Sequence, residues 1–224
     1  MGEMVEFPGG SGSCPGYLAV PASGRGPAVL VIQEWWGLVD HVKRVCDRLA
    51  GDGLVALAPD LYHGESTKEP DEAVKLMMAM RLEGAVADMK GAVDYLLGHD
   101  AVEGDGVGVI GFCMGGGLAL YLATREPRIR ECVPFYGVIP WPDANPDWSA
   151  VKARVDGHYA ENDGSASREN VGAMEAAMRE AGVAVTITWH PGTDHAFFND
   201  DRPEVYNHEE SEKAYAAVLP LLRG

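Results

Sequence analysis

The chain has 224 residues, with 34 acidic side chains against 18 basic ones and a formal net charge of −16 at pH 7. That length suits one domain, able to bury roughly 70% or more of its unfolded surface, so neither disulfides nor a metal is needed as a staple. The negative charge repels phosphate backbones and argues against nucleic acid as a partner; spread along the chain, it reads as a well-solvated surface.

Strand and helix signals alternate. Ala28-Val29-Leu30-Val31-Ile32 is a continuous apolar run, as expected of a strand buried on both faces. Apolar positions 42, 45, 46 and 49 then follow helical spacing, with Gly51 as the expected stop. Leu54-Val55-Ala56-Leu57-Ala58 is the next strand, closed by Pro59-Asp60. Pro70-Asp71-Glu72 starts a helical region reaching Leu97, broken near Gly84. Its methionines, Met77, Met78, Met80 and Met89, are expected to fill core gaps.

Residues 106–112 read as a strand, 115–123 as a helix and 132–136 as a strand. Residues 137–150 hold three prolines and two tryptophans without periodicity, which predicts a loop or small cap over the sheet's edge. A strand over 153–159 follows, then a helix capped by Ser165 and stopped by Gly182. Residues 183–189 alternate strictly, giving a strand with one wetter face, and 208–222 form a terminal helix. Strands separated by helices predict an α/β fold: one domain over 1–224, with a mostly parallel sheet covered on both faces.

Cys14, Cys46, Cys113 and Cys132 show neither CxxC pairing nor zinc-like spacing, so no disulfide framework is expected and a reducing cytoplasm is the default. Cys46 and Cys132 lie in apolar stretches, as small buried hydrophobes do. Glu6 stands where a myristoylation signal wants Ser or Thr. No run approaches ~18 apolar residues and no signal-peptide pattern is present, so neither membrane insertion nor export is expected.

The strongest chemical signal is Gly111-Phe112-Cys113-Met114-Gly115, a G-x-S-x-G pattern with cysteine at its centre, placed between a strand and a helix. That context defines a nucleophile elbow, a strained turn whose flanking glycines remove side chains that would collide. A sulfur at a helix N-terminus is also stabilised as the thiolate. Such a nucleophile needs a base and a group to orient it, and the chain order of α/β-hydrolases is nucleophile, acid, histidine. Asp163, just past the 153–159 strand, and His195, just past the 183–189 strand, fit that order. In a parallel sheet both loops open at the strands' C-terminal edge, beside the elbow.

Asp194 and Glu161 are the fallback acids. His158 falls inside a strand and His190 at a strand end, while His41, His63, His99 and His208 read as surface or capping groups. His190, Asp194 and His195 could be taken as metal ligands, but they match no H-E-x-x-H spacing, and His208-Glu209-Glu210 lacks its second histidine. No metal or other cofactor is therefore expected. An oxyanion hole requires the backbone N–H of Met114 and one from the loop after the first buried strand, where Trp35 is the natural donor.

Five segments then add up to a family. Gln33-Glu34-Trp35-Trp36-Gly37, Ala58-Pro59-Asp60-Leu61-Tyr62, Gly111-Phe112-Cys113-Met114-Gly115-Gly116, Phe135-Tyr136-Gly137 and His195-Ala196-Phe197, in that order, resemble the motifs of the dienelactone hydrolases. The resemblance implies a compact α/β-hydrolase with little or no lid, a mostly cytosolic setting, and Cys113, His195 and Asp163 as the triad. It implies that Glu34 contacts the thiol, keeping it protonated at rest and helping to activate it when substrate arrives. Trp36, Tyr136 and Phe197 are the expected substrate contacts.

One departure bears on substrate. Family enzymes that open dienelactone hold its carboxylate with arginines, one of them close behind the catalytic histidine. Here the next arginine is Arg202, seven residues on, with Arg81 as a candidate second. The expected reaction is hydrolysis of activated carboxylic esters or enol lactones, as a monomer or small homo-oligomer. A general carboxylesterase or thioesterase, and a non-catalytic binding domain, are the alternatives.

Overall fold

A computed structural model describes residues 1–141 and 144–224. The chain divides by contacts into two compact units, Met1–Val107 and Gly108–Gly224. In the first, β1 (Glu3–Gly9) and β2 (Gly12–Ala19) form an antiparallel hairpin closed at Gly9 and Gly12. β2 pairs antiparallel with β4 (Val55–Pro59), and β4 pairs parallel with β3 (Gly26–Ile32). The helices are α1 (Asp40–Gly51), α2 (Pro70–Ala79) and α3 (Leu82–Gly98).

β4 is buried throughout and β3 nearly so, as their unbroken apolar runs require. α1 buries Val42, Val45, Cys46 and Leu49, the helical stripe read from the sequence. Each fully buried Val or Leu contributes about 1.5–3 kcal/mol relative to exposure.

Several details differ from the expectation. The β1–β2 hairpin was not anticipated. α1 ends at Gly51, as expected, and Gly53, whose φ of 92° suits glycine, completes the turn that follows. The break between α2 and α3 falls at Met80 and Arg81, both extended (ψ 124° and 119°), while Gly84 stays inside α3. Met89 is fully buried, but Met78 is 77% exposed because α2 buries only Ala73. His41, expected at the surface, is buried in α1.

The second unit holds α4 (Met114–Ala123), β6 (Ile129–Phe135), β7 (Arg154–Ala160), α5 (Arg168–Glu180), β8 (Val185–His190) and α6 (His208–Arg223). β5 (Val102–Phe112) runs through the boundary and belongs to both units. The strands order as β1-β2-β4-β3-β5-β6-β7-β8 in an eight-stranded, mostly parallel sheet, the expected α/β class. Ser167, not Ser165, caps α5, accepting the Asn170 N–H. Of the expected 137–150 loop, residues 142 and 143 lie outside the described residues; the rest is irregular apart from a 3-10 turn at Trp148–Ala150. Among the described residues, no helix is long and apolar enough to cross a membrane.

Candidate active site

Cys113 sits between the end of β5 and the first turn of α4, with φ 54° and ψ −117°. A non-glycine residue there is strained, and such strain persists only where the surroundings impose it. They do: the Cys113 N–H donates to the Phe135 carbonyl at 3.0 Å, and its own carbonyl accepts from Gly116 at 3.0 Å. A Cβ on Gly111 would lie 2.1 Å from the Gly115 carbonyl oxygen, so the turn closes only with glycine. Met114, the first residue of α4, is buried. The thiol is partly exposed, unlike those of Cys14, Cys46 and Cys132.

Asp163 follows β7 and His195 follows β8, and the two loops are tied together. The Asn162 N–H donates to the Thr193 carbonyl at 3.0 Å, and the Gly192 N–H donates to Glu161 at 2.9 Å. Asp163 Oδ1 accepts the backbone N–H groups of Ser165 and Ala166 at 2.8 and 2.9 Å. Its Oδ2 meets His195 Nδ1 at 2.6 Å. An ionised carboxylate only accepts, so the shared proton resides on Nδ1 and Nε2 is left for a second partner. The imidazole also makes a side-chain hydrogen bond to Cys113.

Burial alone would push the His195 pKa down. The hydrogen bonds to Asp163 and Cys113, and the negative charge each can carry, outweigh it and raise the imidazole to about 10. Asp163 moves the other way: burial raises its pKa, but the His195 hydrogen bond and charge and the two N–H donors bring it below the ordinary carboxylate value. The structure thus brings Cys113, His195 and Asp163 into one chain of hydrogen bonds.

Two of the expected substrate contacts are buried. Phe197 is 0% exposed and Tyr136 only 1%. Their rings serve one another: Tyr136 lies edge-on to His195 at 5.1 Å and to Phe197 at 5.6 Å. They wall the histidine. Arg202 is partly exposed and pairs with Glu204 at 2.9 Å. The remaining candidates belong to the first unit. Glu34 is buried; Trp35 and Trp36 are half-buried and T-stacked at 5.0 Å; Arg81 precedes α3 and lines a cavity of about 560 Å³.

The sequence reading missed a buried histidine chain next to the site. His158 Nδ1 meets His190 Nε2 at 2.9 Å, and His190 Nδ1 meets Glu210 on α6 at 2.8 Å. β7–β8 register sets His158 opposite Thr188, so His190 lies two residues along on the same face. His190 packs on Phe197 at 4.7 Å, and its carbonyl accepts from the Thr193 hydroxyl at 2.8 Å. The chain therefore braces the loop that carries His195.

Comparison with known proteins agrees with this picture. The model of the dienelactone hydrolase family matches residues 14–224. Protein usf of Aquifex pyrophilus is 37% identical, covering 100% of this chain and 98% of its own. A carboxymethylenebutenolidase of a Pseudomonas species is 33% identical over 99% of this chain and 94% of its own. A crystal structure of a provisionally named dienelactone hydrolase from Klebsiella pneumoniae superposes with a TM-score of 0.88 at 27% identity, covering 98% of this chain and 97% of that one.

Proposed function

The chain belongs to the dienelactone hydrolase family, and on that premise we propose that it hydrolyses activated carboxylic esters or enol lactones with Cys113 as nucleophile. One observation carries the proposal: His195 is held by Asp163 on one ring nitrogen and engages the Cys113 thiol as well. Asp163 fixes the tautomer that lets Nε2 take the thiol proton. The thiolate adds to the substrate carbonyl, and the resulting oxyanion is met by backbone N–H groups, for which Met114 and Trp35 are the candidates. His195 then returns the proton to the leaving oxygen. Water, deprotonated by the same imidazole, cleaves the acyl thioester and restores the thiol. Roles for Glu34, Trp36, Arg81 and Arg202 rest on the family resemblance.

The nucleophile also limits the substrate. From the tetrahedral intermediate, a thiolate with an unperturbed pKa of about 8.5 leaves more readily than an alkoxide. Collapse to products is favoured when the ester's own leaving group is an enolate or a phenolate. The test compares kcat/KM for an enol lactone and an aryl acetate with that for an alkyl acetate of similar size. The activated substrates should be strongly preferred; equal values would contradict the proposal and favour a general carboxylesterase.

A further inference from the structure

The first unit gathers a second set of reactive side chains that plays no part in the proposed triad. Cys14 lies on β2, His63 in the turn after β4, and Asp88 on α3. One ligand-type atom from each lies within 4.8 Å of the other two. His63 Nε2 meets Asp88 Oδ2 at 2.9 Å, and Asp88 Oδ1 is fixed by the Gly10 N–H at 2.8 Å. The Cys14 thiol points between the Pro15 and Asp60 carbonyls, at 3.4 and 3.8 Å.

The surroundings favour a cation. Cys14, Asp60 and Asp88 are all buried. Burial first, then the charges of Asp88 and Asp60, push the thiol up to about 12, so these carboxylates create a negative potential at the sulfur. Asp60 accepts the N–H groups of Tyr62 and Gly64 at 3.1 and 2.7 Å, fixing the turn in which His63 adopts a positive φ of 52°. That backbone strain belongs to a turn holding the imidazole over Asp88. The His63 side chain is 37% exposed and lines, with Asp88 and Arg81, the cavity of about 560 Å³, which gives an entry path from solvent.

We propose that Cys14, His63 and Asp88 form a binding site for a zinc-like divalent cation, its fourth position open to this cavity. Sulfur, imidazole nitrogen and carboxylate oxygen are the donors such a borderline ion takes, and three protein ligands with one open position is a familiar arrangement for it. Metal–ligand bonds of 2.0–2.3 Å in a tetrahedron set the donors about 3.4 Å apart. His63 and Asp88, now 2.9 Å apart, must open by about half an ångström, and donors as far apart as 4.8 Å must close by about an ångström; the half-exposed ring of His63 has room to make most of that movement. Binding forms three metal–ligand bonds. The thiol proton leaves to solvent, and the imidazole keeps its remaining proton on Nδ1. The ion would clip β2, the turn after β4, and α3 together, stabilising the folded chain by mass action.

Cobalt(II) is the probe, since a cobalt–thiolate bond gives a charge-transfer band. Tag-free, chelator-treated protein is titrated with cobalt(II), as wild type and as Cys113→Ala to remove the reactive thiol. The band should appear with one equivalent in both, be displaced by zinc(II), and be absent in Cys14→Ser. His63→Ala, altered at the cavity's edge, should weaken cobalt binding at least tenfold. Zinc(II) should raise the wild-type melting temperature by several degrees and leave Cys14→Ser unmoved. A band that persists in Cys14→Ser or vanishes in Cys113→Ala would place the metal elsewhere and overturn the proposal, as would no band at millimolar cobalt. Should Cys14→Ser fail to fold, undiminished cobalt affinity in His63→Ala would overturn it alone.

Discussion

Asp163→Asn isolates orientation from structure. The native Oδ1 accepts two backbone N–H groups, from Ser165 and Ala166. In the variant the amide oxygen must keep that place, because an NH₂ there would face two donors. The NH₂ then faces His195 Nδ1 in place of the carboxylate oxygen now 2.6 Å away. It can only donate, so Nδ1 becomes the acceptor and the ring proton moves to Nε2, where it blocks proton transfer from Cys113. The loss of the carboxylate also removes the hydrogen bond that does most to hold the His195 pKa above its usual value, and with it a smaller contribution from its charge. A wrong tautomer at this position in a triad costs about ten-thousand-fold in kcat, or about 5 kcal/mol. The assay is steady-state aryl acetate hydrolysis across pH, with melting temperature as the control. Asp163→Asn should stay folded but melt below the wild type, because the carboxylate that stabilises protonated His195 is gone. Asp163→Ala should lose about 1–3 kcal/mol of stability by stranding the buried Ala166 N–H. A kcat for Asp163→Asn within tenfold of wild type would refute the reasoning.

Two further outcomes are expected. In Gly137→Ala, the new Cβ would fall 2.5 Å from Gly116 Cα and 2.6 Å from Gly117 N, all backbone, so no rotamer relieves it; the cost should be about 1–3 kcal/mol, and an unchanged melting temperature would contradict the close approach. The raised pKa of His195 means its contribution to stability is complete below its unfolded value of 6.5 and is lost as pH rises through about 10; the stability difference between wild type and His195→Gln, by denaturant titration, should shrink over that interval, and a difference growing toward pH 10 would contradict the assignment.

Legibility in the sequence followed the strength of local signals. The parallel strands β3 and β4 are buried on both faces, so their apolar runs announce them, and the elbow combines a glycine pattern with a strand–helix junction. Chain order pointed to Asp163 and His195 because parallel strands deliver their following loops to one edge, and the two side chains are hydrogen-bonded. β1 was silent: it is an edge strand containing Pro8, with only Phe7 fully buried. Gly84 was a misleading break, since a helix tolerates an interior glycine for about 1 kcal/mol, whereas Met80 and Arg81 carry no sequence sign of turning. That the Tyr136 ring packs against His195 and Phe197 could not be read from the sequence, because Tyr136 lies far from both in the chain and only packing brings them together. The histidine chain needed strand register, and the Cys14, His63 and Asp88 cluster needed three elements folded together; neither has a spacing that a linear reading can detect.

The central claim, that Cys113 is the nucleophile, is tested most directly by stoichiometric alkylation with iodoacetamide, followed by peptide mass mapping and residual activity on the same sample. The account predicts that inactivation tracks modification of Cys113 one for one, while Cys14, Cys46 and Cys132, all buried, stay unmodified. Activity lost through another cysteine, or turnover retained with Cys113 fully alkylated, would contradict it.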